Sequence, residues 1–232
     1  MRWQDDWPVM GDNGIPVLAH RKPDVGANYP RATPPDSDDF NGSRLGPQWQ
    51  WQANPQPGWG FPSAALGVMR LINVPTPEGY VNFWNAPNLL LQKFPAPRFT
   101  VTTKLTFTPR GGEDRAGLVI MGTDYTWIGL RKRGDGLVLT QVGCLNADQG
   151  NAESEWASRP VNSNSVWLRA RVVDDAKVRL SYSFDGKTFN DIGREFTAQP
   201  GRWIGAKIGL FAMGAPGTTE YGNADFDDFI VE

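Results

Sequence analysis

Glu153 and Glu155 stand two residues apart in the segment NAESEW. On a β-strand their side chains would share one face, because side chains alternate between the two faces of a strand. The spacing would then suit the paired carboxylates of glycoside hydrolysis, which lie about 5 to 10 Å apart. The neighbouring Asn, Asp and Gly residues favour a loop instead. We therefore interpret the two glutamates as part of an exposed acidic loop.

The sequence lacks the residues that other common catalytic sites require. His20 is the only histidine and precedes the predicted domain, which disfavours a Ser-His-Asp triad. Cys144 is the only cysteine, so no intrachain disulfide can form, and we expect it to be a small buried residue. The sequence also contains no phosphate-binding loop and no zinc-ligand spacing.

Sugar binding is better supported by the aromatic residues. A sugar presents apolar C–H faces that stack on aromatic rings and hydroxyls that need hydrogen bonds. In the segment TWIGLR, alternation places Trp127 and Arg131 on the face opposite Ile128. We predict that the pair forms a flat, exposed platform on a sheet. The alternative is that Trp127 packs in the core, as tryptophans in sandwiches often do.

Two further tryptophans are weaker candidates for sugar binding. Trp84 is flanked by two asparagines, and Trp59 lies in a loop rich in glycine and proline. The same alternative of core packing applies to both. We interpret Trp49 and Trp167 as structural.

The elements that would position these residues are short strands. The segment AGLVIM is apolar on both faces, which indicates a strand that is covered on both sides. About a dozen such strands with turn signals between them predict an all-β sandwich of two antiparallel sheets, of the jelly-roll type. The predicted strands are 38–40, 45–51, 65–72, 80–84, 99–107, 116–121, 126–131, 137–142, 166–172, 178–184, 207–212 and 226–231.

Composition limits the classes of partner. The net charge is −2 with both signs interspersed, whereas nucleic-acid binding usually needs a basic face. No stretch approaches the ~20 apolar residues of a membrane span. We therefore expect neither a nucleic-acid nor a membrane partner. The first residues do not show the pattern of a signal peptide. The sequence does not predict whether the protein is cytoplasmic or secreted in a bacterium.

Residues 1–35 differ from the rest of the chain. They show no sustained period and are rich in proline, which fixes an extended course. We predict a tail or linker with Trp3 and Trp7 as apolar anchors, followed by the β-sandwich at 36–232. The alternative is a disordered N-terminus.

Four stretches then resemble a known family. They are DDFNGSRLGPQWQW at 38–51, EDRAGLVIMGTDYTWIGLRK at 113–132, GRWIGAKIGLFA at 201–212 and NADFDDFIVE at 223–232. Together they resemble the C-terminal β-sandwich of glycoside hydrolase family 43 enzymes of the β-xylosidase and arabinofuranosidase type. That module has a concanavalin A-like fold and is similar to carbohydrate-binding module family 91. The opening RWQDDWPVMGDNGIPV is similar to the end of the catalytic propeller in such enzymes.

The resemblance implies a fragment that is not itself catalytic, because family enzymes carry their three catalytic carboxylates in the preceding propeller. It implies two functions. The module binds xylan or another hemicellulose, or it docks on the propeller and binds little sugar alone. The GRWIG segment resembles a loop that reaches the active-site rim, so Arg202 and Trp203 would contact substrate in the parent enzyme. An independent hydrolase is disfavoured.

A structural calcium ion is a further expectation. Modules with this fold often carry a structural calcium ion near the first and last strands. These two strands often pair with each other. Asp39 at the first strand and Asp228 at the last could supply carboxylate oxygens, which calcium accepts. The alternative is that these residues are solvated acidic strand ends.

Overall fold

The N-terminal residues begin with a short hairpin. In the computed structural model, which describes residues 2–19, 21, 24, 26–27, 30 and 32–232, β1 (Arg2–Gln4) pairs antiparallel with β2 (Trp7–Val9). Trp3 and Trp7 are 68% and 73% exposed. This hairpin belongs to one unit, Met1–Thr33, and Pro34–Glu232 forms a second. His20 lies outside the described residues.

Sixteen strands build the second unit. They are β3 (Gln50–Trp51), β4 (Gly60–Ser63), β5 (Val68–Ile72), β6 (Val74–Pro75), β7 (Leu90–Lys93), β8 (Phe99–Thr108), β9 (Arg115–Met121), β10 (Tyr125–Arg133), β11 (Gly136–Cys144), β12 (Ser154–Val161), β13 (Ser165–Val173), β14 (Lys177–Ser183), β15 (Asn190–Asp191), β16 (Phe196–Thr197), β17 (Lys207–Gly214) and β18 (Asn223–Val231). Three 3₁₀ turns lie between them, at Phe83–Asn85, Ala147–Gln149 and Asp174–Ala176.

The strands form two sheets. The front sheet has the order β12-β11-β10-β9-β17-β7-β3, with β6 alongside β17. The back sheet has the order β15-β14-β13-β8-β18-β5-β4, with β16 alongside β14. Neighbouring strands are antiparallel throughout except for the short β6–β17 pair. The predicted all-β sandwich of two antiparallel sheets is confirmed. No helix among the described residues is long and apolar enough to cross a membrane.

Alternation along the strands produces the core between the sheets. In β8, Phe99, Val101, Leu105 and Phe107 are buried while Thr100, Thr102, Lys104 and Thr106 are partly exposed. They belong to one buried cluster with Leu118 and other inward-facing residues of the front sheet. Each such side chain contributes about 1.5 to 3 kcal/mol when it leaves water. The inter-sheet core therefore holds the strands in register.

A second apolar cluster covers the outer face of the front sheet. It includes Val119, Trp127 and Phe211 from the sheet, and Phe83 from the segment that links β6 to β7. The Phe83 ring stacks on Tyr125 with the ring centroids 4.9 Å apart. All seven residues of β9 are buried, which confirms the prediction of a strand covered on both faces.

Several local predictions differ from the structure. The predicted strand at 38–40 is only an isolated bridge at Asp38, and the one at 45–51 is a strand only at Gln50–Trp51. The predicted strand at 80–84 contains the start of a 3₁₀ turn, because the Asn82 side chain accepts a hydrogen bond from the Trp84 backbone N–H and caps it. The predicted loop around Glu155 is instead β12, a polar edge strand that pairs with β11 and lacks an apolar alternation. β7 was missed because its residues Leu90–Gln92 are all buried and show no alternation.

Candidate functional site

Trp127 does not form an exposed platform. Its side chain is 1% exposed and packs between Phe83 and Phe211, with ring centroids 6.2 and 5.2 Å away. Its indole N–H donates to the Glu153 carboxylate at 3.0 Å. The prediction of an exposed ring is wrong, because the segment that carries Phe83 covers this face of the front sheet. A buried ring offers no surface to a sugar.

Arg131 is also engaged. Its guanidinium is half-buried and forms an ion pair with Glu113. Gly129, which lies between Trp127 and Arg131, meets a packing requirement, since a Cβ there would stand 2.0 Å from the Ala116 carbonyl oxygen. The Trp-Gly-Arg pattern therefore reflects close strand packing and a salt bridge, and the structure separates these residues from the cleft described below.

The two glutamates have different partners. Glu153 accepts hydrogen bonds from the Tyr125 hydroxyl at 2.8 Å and from Trp127. Glu155 lies on β12 and pairs with Arg133 at 2.7 Å. The interpretation as an exposed acidic loop is wrong from Ser154 onward, where the chain is a strand. Each carboxylate is held in its own structural contact.

Trp59 lies apart from the other candidate tryptophans. Its ring packs edge-on against Trp51, with the centroids 5.5 Å apart, and is partly exposed. Its carbonyl accepts a hydrogen bond from Ile72. Its role in sugar binding stays a prediction.

Trp84, Arg202 and Trp203 come together at one cleft of about 370 Å³. Further residues of its lining include Gln52, Met121 and Lys207. The sequence predicts Trp84 as a sugar-binding residue and places Arg202 and Trp203 in a separate rim loop. The fold unites them because the link before β7, the β9–β10 turn and the loop before β17 meet at this end of the front sheet.

Local contacts fix the Trp84 ring at this cleft. Its indole N–H donates to the Gly122 carbonyl in the β9–β10 turn at 3.0 Å. The Arg202 guanidinium carbon lies 5.4 Å from the Trp84 ring centroid, within the range of a cation–π contact. Arg202 also donates to the backbone and carboxylate oxygens of Asp148, at 3.3 and 3.4 Å. The ring is thus held from two sides.

Trp203 is the most exposed of the tryptophans discussed here. It lies in the loop between β16 and β17, and its side chain is 95% exposed. Ile204 beside it is 40% exposed. The indole therefore offers both of its faces to a ligand or a partner.

Two polar residues of the cleft were missed by sequence reasoning. The Lys207 ammonium donates to the Gln52 side-chain oxygen at 3.1 Å. Partial burial lowers the pKa of Lys207. The available signal was the position of Lys207 at the start of an otherwise apolar strand, KIGLFA. Gln52 carries no comparable signal, because its contribution depends on the pairing of β3 with β7.

The proposed calcium ligands lie where the first segment of the sandwich domain contacts its last strand. Asp38 pairs with Phe229 in an isolated bridge, which brings Asp39 near the last strand. Burial raises the pKa of Asp228, and the negative charges of Asp227 and Asp39 raise it further. Among the described residues, no group of three or more acidic, histidine or cysteine side chains could hold a metal ion. A calcium ion at this pair would need backbone carbonyl ligands as well, and it stays a prediction.

The two packed antiparallel sheets place the chain in the class of β-sandwich proteins. The sequence profile of the beta xylosidase C-terminal concanavalin A-like domain matches residues 37–232. The chain therefore belongs to this family, and the resemblance predicted from its four sequence stretches is confirmed.

Individual relatives agree with this assignment. The chain is 28% identical to a beta-xylosidase from Formosa agariphila, over 90% of this chain and 38% of that protein. It is 25% identical to a xylan 1,3-beta-xylosidase from a Vibrio species, over 98% of this chain and 43% of that protein. A solved bifunctional GH43-CE protein from Bacteroides eggerthii superposes with a TM-score of 0.73 at 29% identity, over 100% of this chain and 30% of that one. The chain thus spans less than half the length of each of these relatives.

Proposed function

We propose that this chain is the non-catalytic accessory module of a hemicellulose-degrading glycoside hydrolase and that it binds xylan or xylo-oligosaccharides at the Trp84–Trp203 cleft. The single observation that carries the proposal is the 95% exposure of Trp203 beside a second indole, Trp84, in one cleft. Exposed apolar surface that is grouped at a cleft marks a candidate site for a ligand or a partner.

The chemistry of the cleft suits a sugar. The two indoles can stack against the C–H faces of the pyranose rings. Arg202, Gln52 and Lys207 supply hydrogen-bonding groups for hydroxyls. A cleft of about 370 Å³ lies within the usual range for small-molecule sites, which is about 300 to 1,000 Å³. The relatives described as xylosidases favour xylan as the polysaccharide.

Retention on insoluble polysaccharide tests this proposal. The chain should be retained on xylan more strongly than on cellulose, and Trp203→Ala should lose most of that retention. Tyr221→Ala is the control, because Tyr221 is another exposed aromatic residue but does not line the cleft. Equal retention of both variants would contradict a binding site at Trp203.

A second function is favoured by the position of the exposed apolar residues. Trp203 and Ile204 lie on one loop, as expected of a contact with another domain. In this alternative the module docks on a family 43 catalytic propeller, completes the rim of its active site and binds little sugar alone. The parent enzyme would be a β-xylosidase or α-L-arabinofuranosidase.

Co-purification separates the two functions. If docking is the function, the isolated chain should bind little xylan, and a propeller expressed separately should co-purify with it. Trp203→Ala should then reduce hydrolysis by the assembled pair. If sugar binding is the function, the isolated chain should bind xylan without a propeller.

A further inference from the structure

Lys207 and Lys93 lie directly opposite each other on adjacent strands of the front sheet. They are Cα partners in the antiparallel β17–β7 pair, so their side chains project from the same face. Like charges in this position are destabilising. Lys207 lines the cleft, and Lys93 lies across from it on β7.

Neither lysine is neutralised within the part of the chain that the structure describes. The ion pairs there involve other basic residues, and the Lys207 ammonium donates to the neutral Gln52 side chain. Lys207 is half-buried, and loss of solvent lowers its pKa. A partly desolvated cation without a counter-charge is held at a cost in free energy.

The rest of the cleft does not compensate this charge. Its described lining contains Arg202 and Lys207 but no carboxylate. Arg202 already contacts Asp148. The uncompensated positive charge is therefore at Lys207, which lines the cleft with the two indoles, and at its cross-strand partner Lys93.

We propose that Lys207, assisted by Lys93, binds the carboxylate of a uronic acid substituent on the hemicellulose chain, while Trp84 and Trp203 hold the neutral backbone sugars. The preferred ligand is then an acidic xylo-oligosaccharide such as one that bears glucuronic acid. An ammonium–carboxylate hydrogen bond is charge-assisted and stronger than a bond to a hydroxyl. The bound anion also relieves the repulsion between the two lysines. This inference rests on the proposed sugar-binding function.

A matched pair of ligands tests the inference. Calorimetric titration of the full chain would compare a glucuronic acid-substituted xylo-oligosaccharide with the same compound after reduction of its carboxylate to an alcohol. The acidic ligand should bind about tenfold more tightly. Rising salt concentration should shrink this preference, because part of the site is exposed.

Substitutions test which lysine produces the preference for the acidic ligand. Lys207→Gln should lower the affinity for the acidic ligand much more than the affinity for the reduced ligand, so that the two affinities come close together. Lys93→Gln, at an exposed position, should weaken the preference partly and serves as a second variant. Lys187→Gln is the control, since Lys187 lies exposed in the hairpin loop between β14 and β15 of the back sheet and should leave the preference intact.

The outcomes separate this inference from the proposed function. Equal affinity of the unmodified chain for both ligands would overturn the inference alone. So would a Lys207→Gln variant that lost the same factor for both ligands, which is expected if the lysine only packs its stem on Met121. Failure of both ligands to bind would overturn the inference and the proposed sugar binding together.

Discussion

The indole N–H of Trp127 and the hydroxyl of Tyr125 donate to the same carboxylate oxygen of Glu153, at 3.0 and 2.8 Å. Both donors are buried, so removal of the acceptor leaves two unsatisfied groups. We predict that Glu153→Ala lowers the free energy of unfolding by about 2 to 4 kcal/mol. Urea denaturation followed by circular dichroism measures this loss.

Glu153→Gln is the control, because its side chain keeps an acceptor oxygen. It should cost less than about 1 kcal/mol. A loss from Glu153→Gln as large as that from Glu153→Ala would show that the carboxylate charge matters rather than the hydrogen bonds.

Substitution by alanine should change the stability of the fold far more at Trp127 than at Trp203. Trp127→Ala removes a ring from a packed cluster and should destabilise the fold by about 3 to 5 kcal/mol. Trp203→Ala removes a ring that is 95% exposed and should change stability by less than about 0.5 kcal/mol. Thermal melting of the two variants compares them. Comparable losses from both would contradict the assigned burial.

The sequence was sufficient for the fold because its signals are periodic. Alternation in β8 and β13, and the apolar run in β9, give the two sheets and the core between them. The sequence also resembled the right family. Such patterns report which residues share a face of a strand, and little more.

Burial of Trp127 could not be predicted from its own strand. Alternation places it correctly on the outer face of the front sheet, but that face is covered by Phe83 from a segment about forty residues earlier. The same limit applies to the cleft. Trp84 and Trp203 are distant in sequence, and only the strand order of the front sheet brings their loops together.

Asp185 should titrate at an unusually low pH. Hydrogen bonds from the Thr188 N–H, the Ser183 hydroxyl and the Lys187 N–H lower the pKa of Asp185 to about 2. Since the folded pKa lies below the unfolded value of 3.8, its contribution to stability is present above pH 3.8 and is lost as pH falls through 2. NMR titration of the side-chain carboxyl measures this value. A pKa near 3.8 would contradict the turn geometry.

A calcium ion bound by Asp39 and Asp228 should stabilise the fold. The raised pKa of Asp228 means that its contribution to stability is present at low pH and is lost as pH rises through the folded pKa. Bound calcium would offset this loss at neutral pH. We predict that millimolar calcium raises the melting temperature at pH 7, and that chelation reverses the rise.

Asp228→Asn is the matched variant for the calcium prediction. It should raise stability slightly without metal, by less than about 0.5 kcal/mol, and abolish the response to calcium. Asp135→Asn, in the exposed β10–β11 turn, should leave the response unchanged. A calcium response that persists in Asp228→Asn would place the ion elsewhere.

We propose that Trp203 contributes more than any other residue to sugar binding by this module. Calorimetric titration of the unmodified chain and of Trp203→Ala with a linear xylo-oligosaccharide tests it most directly. We predict measurable binding by the unmodified chain and a loss of about tenfold or more in affinity for the variant, with an unchanged melting temperature. Equal affinities, or no binding by the unmodified chain, would contradict it.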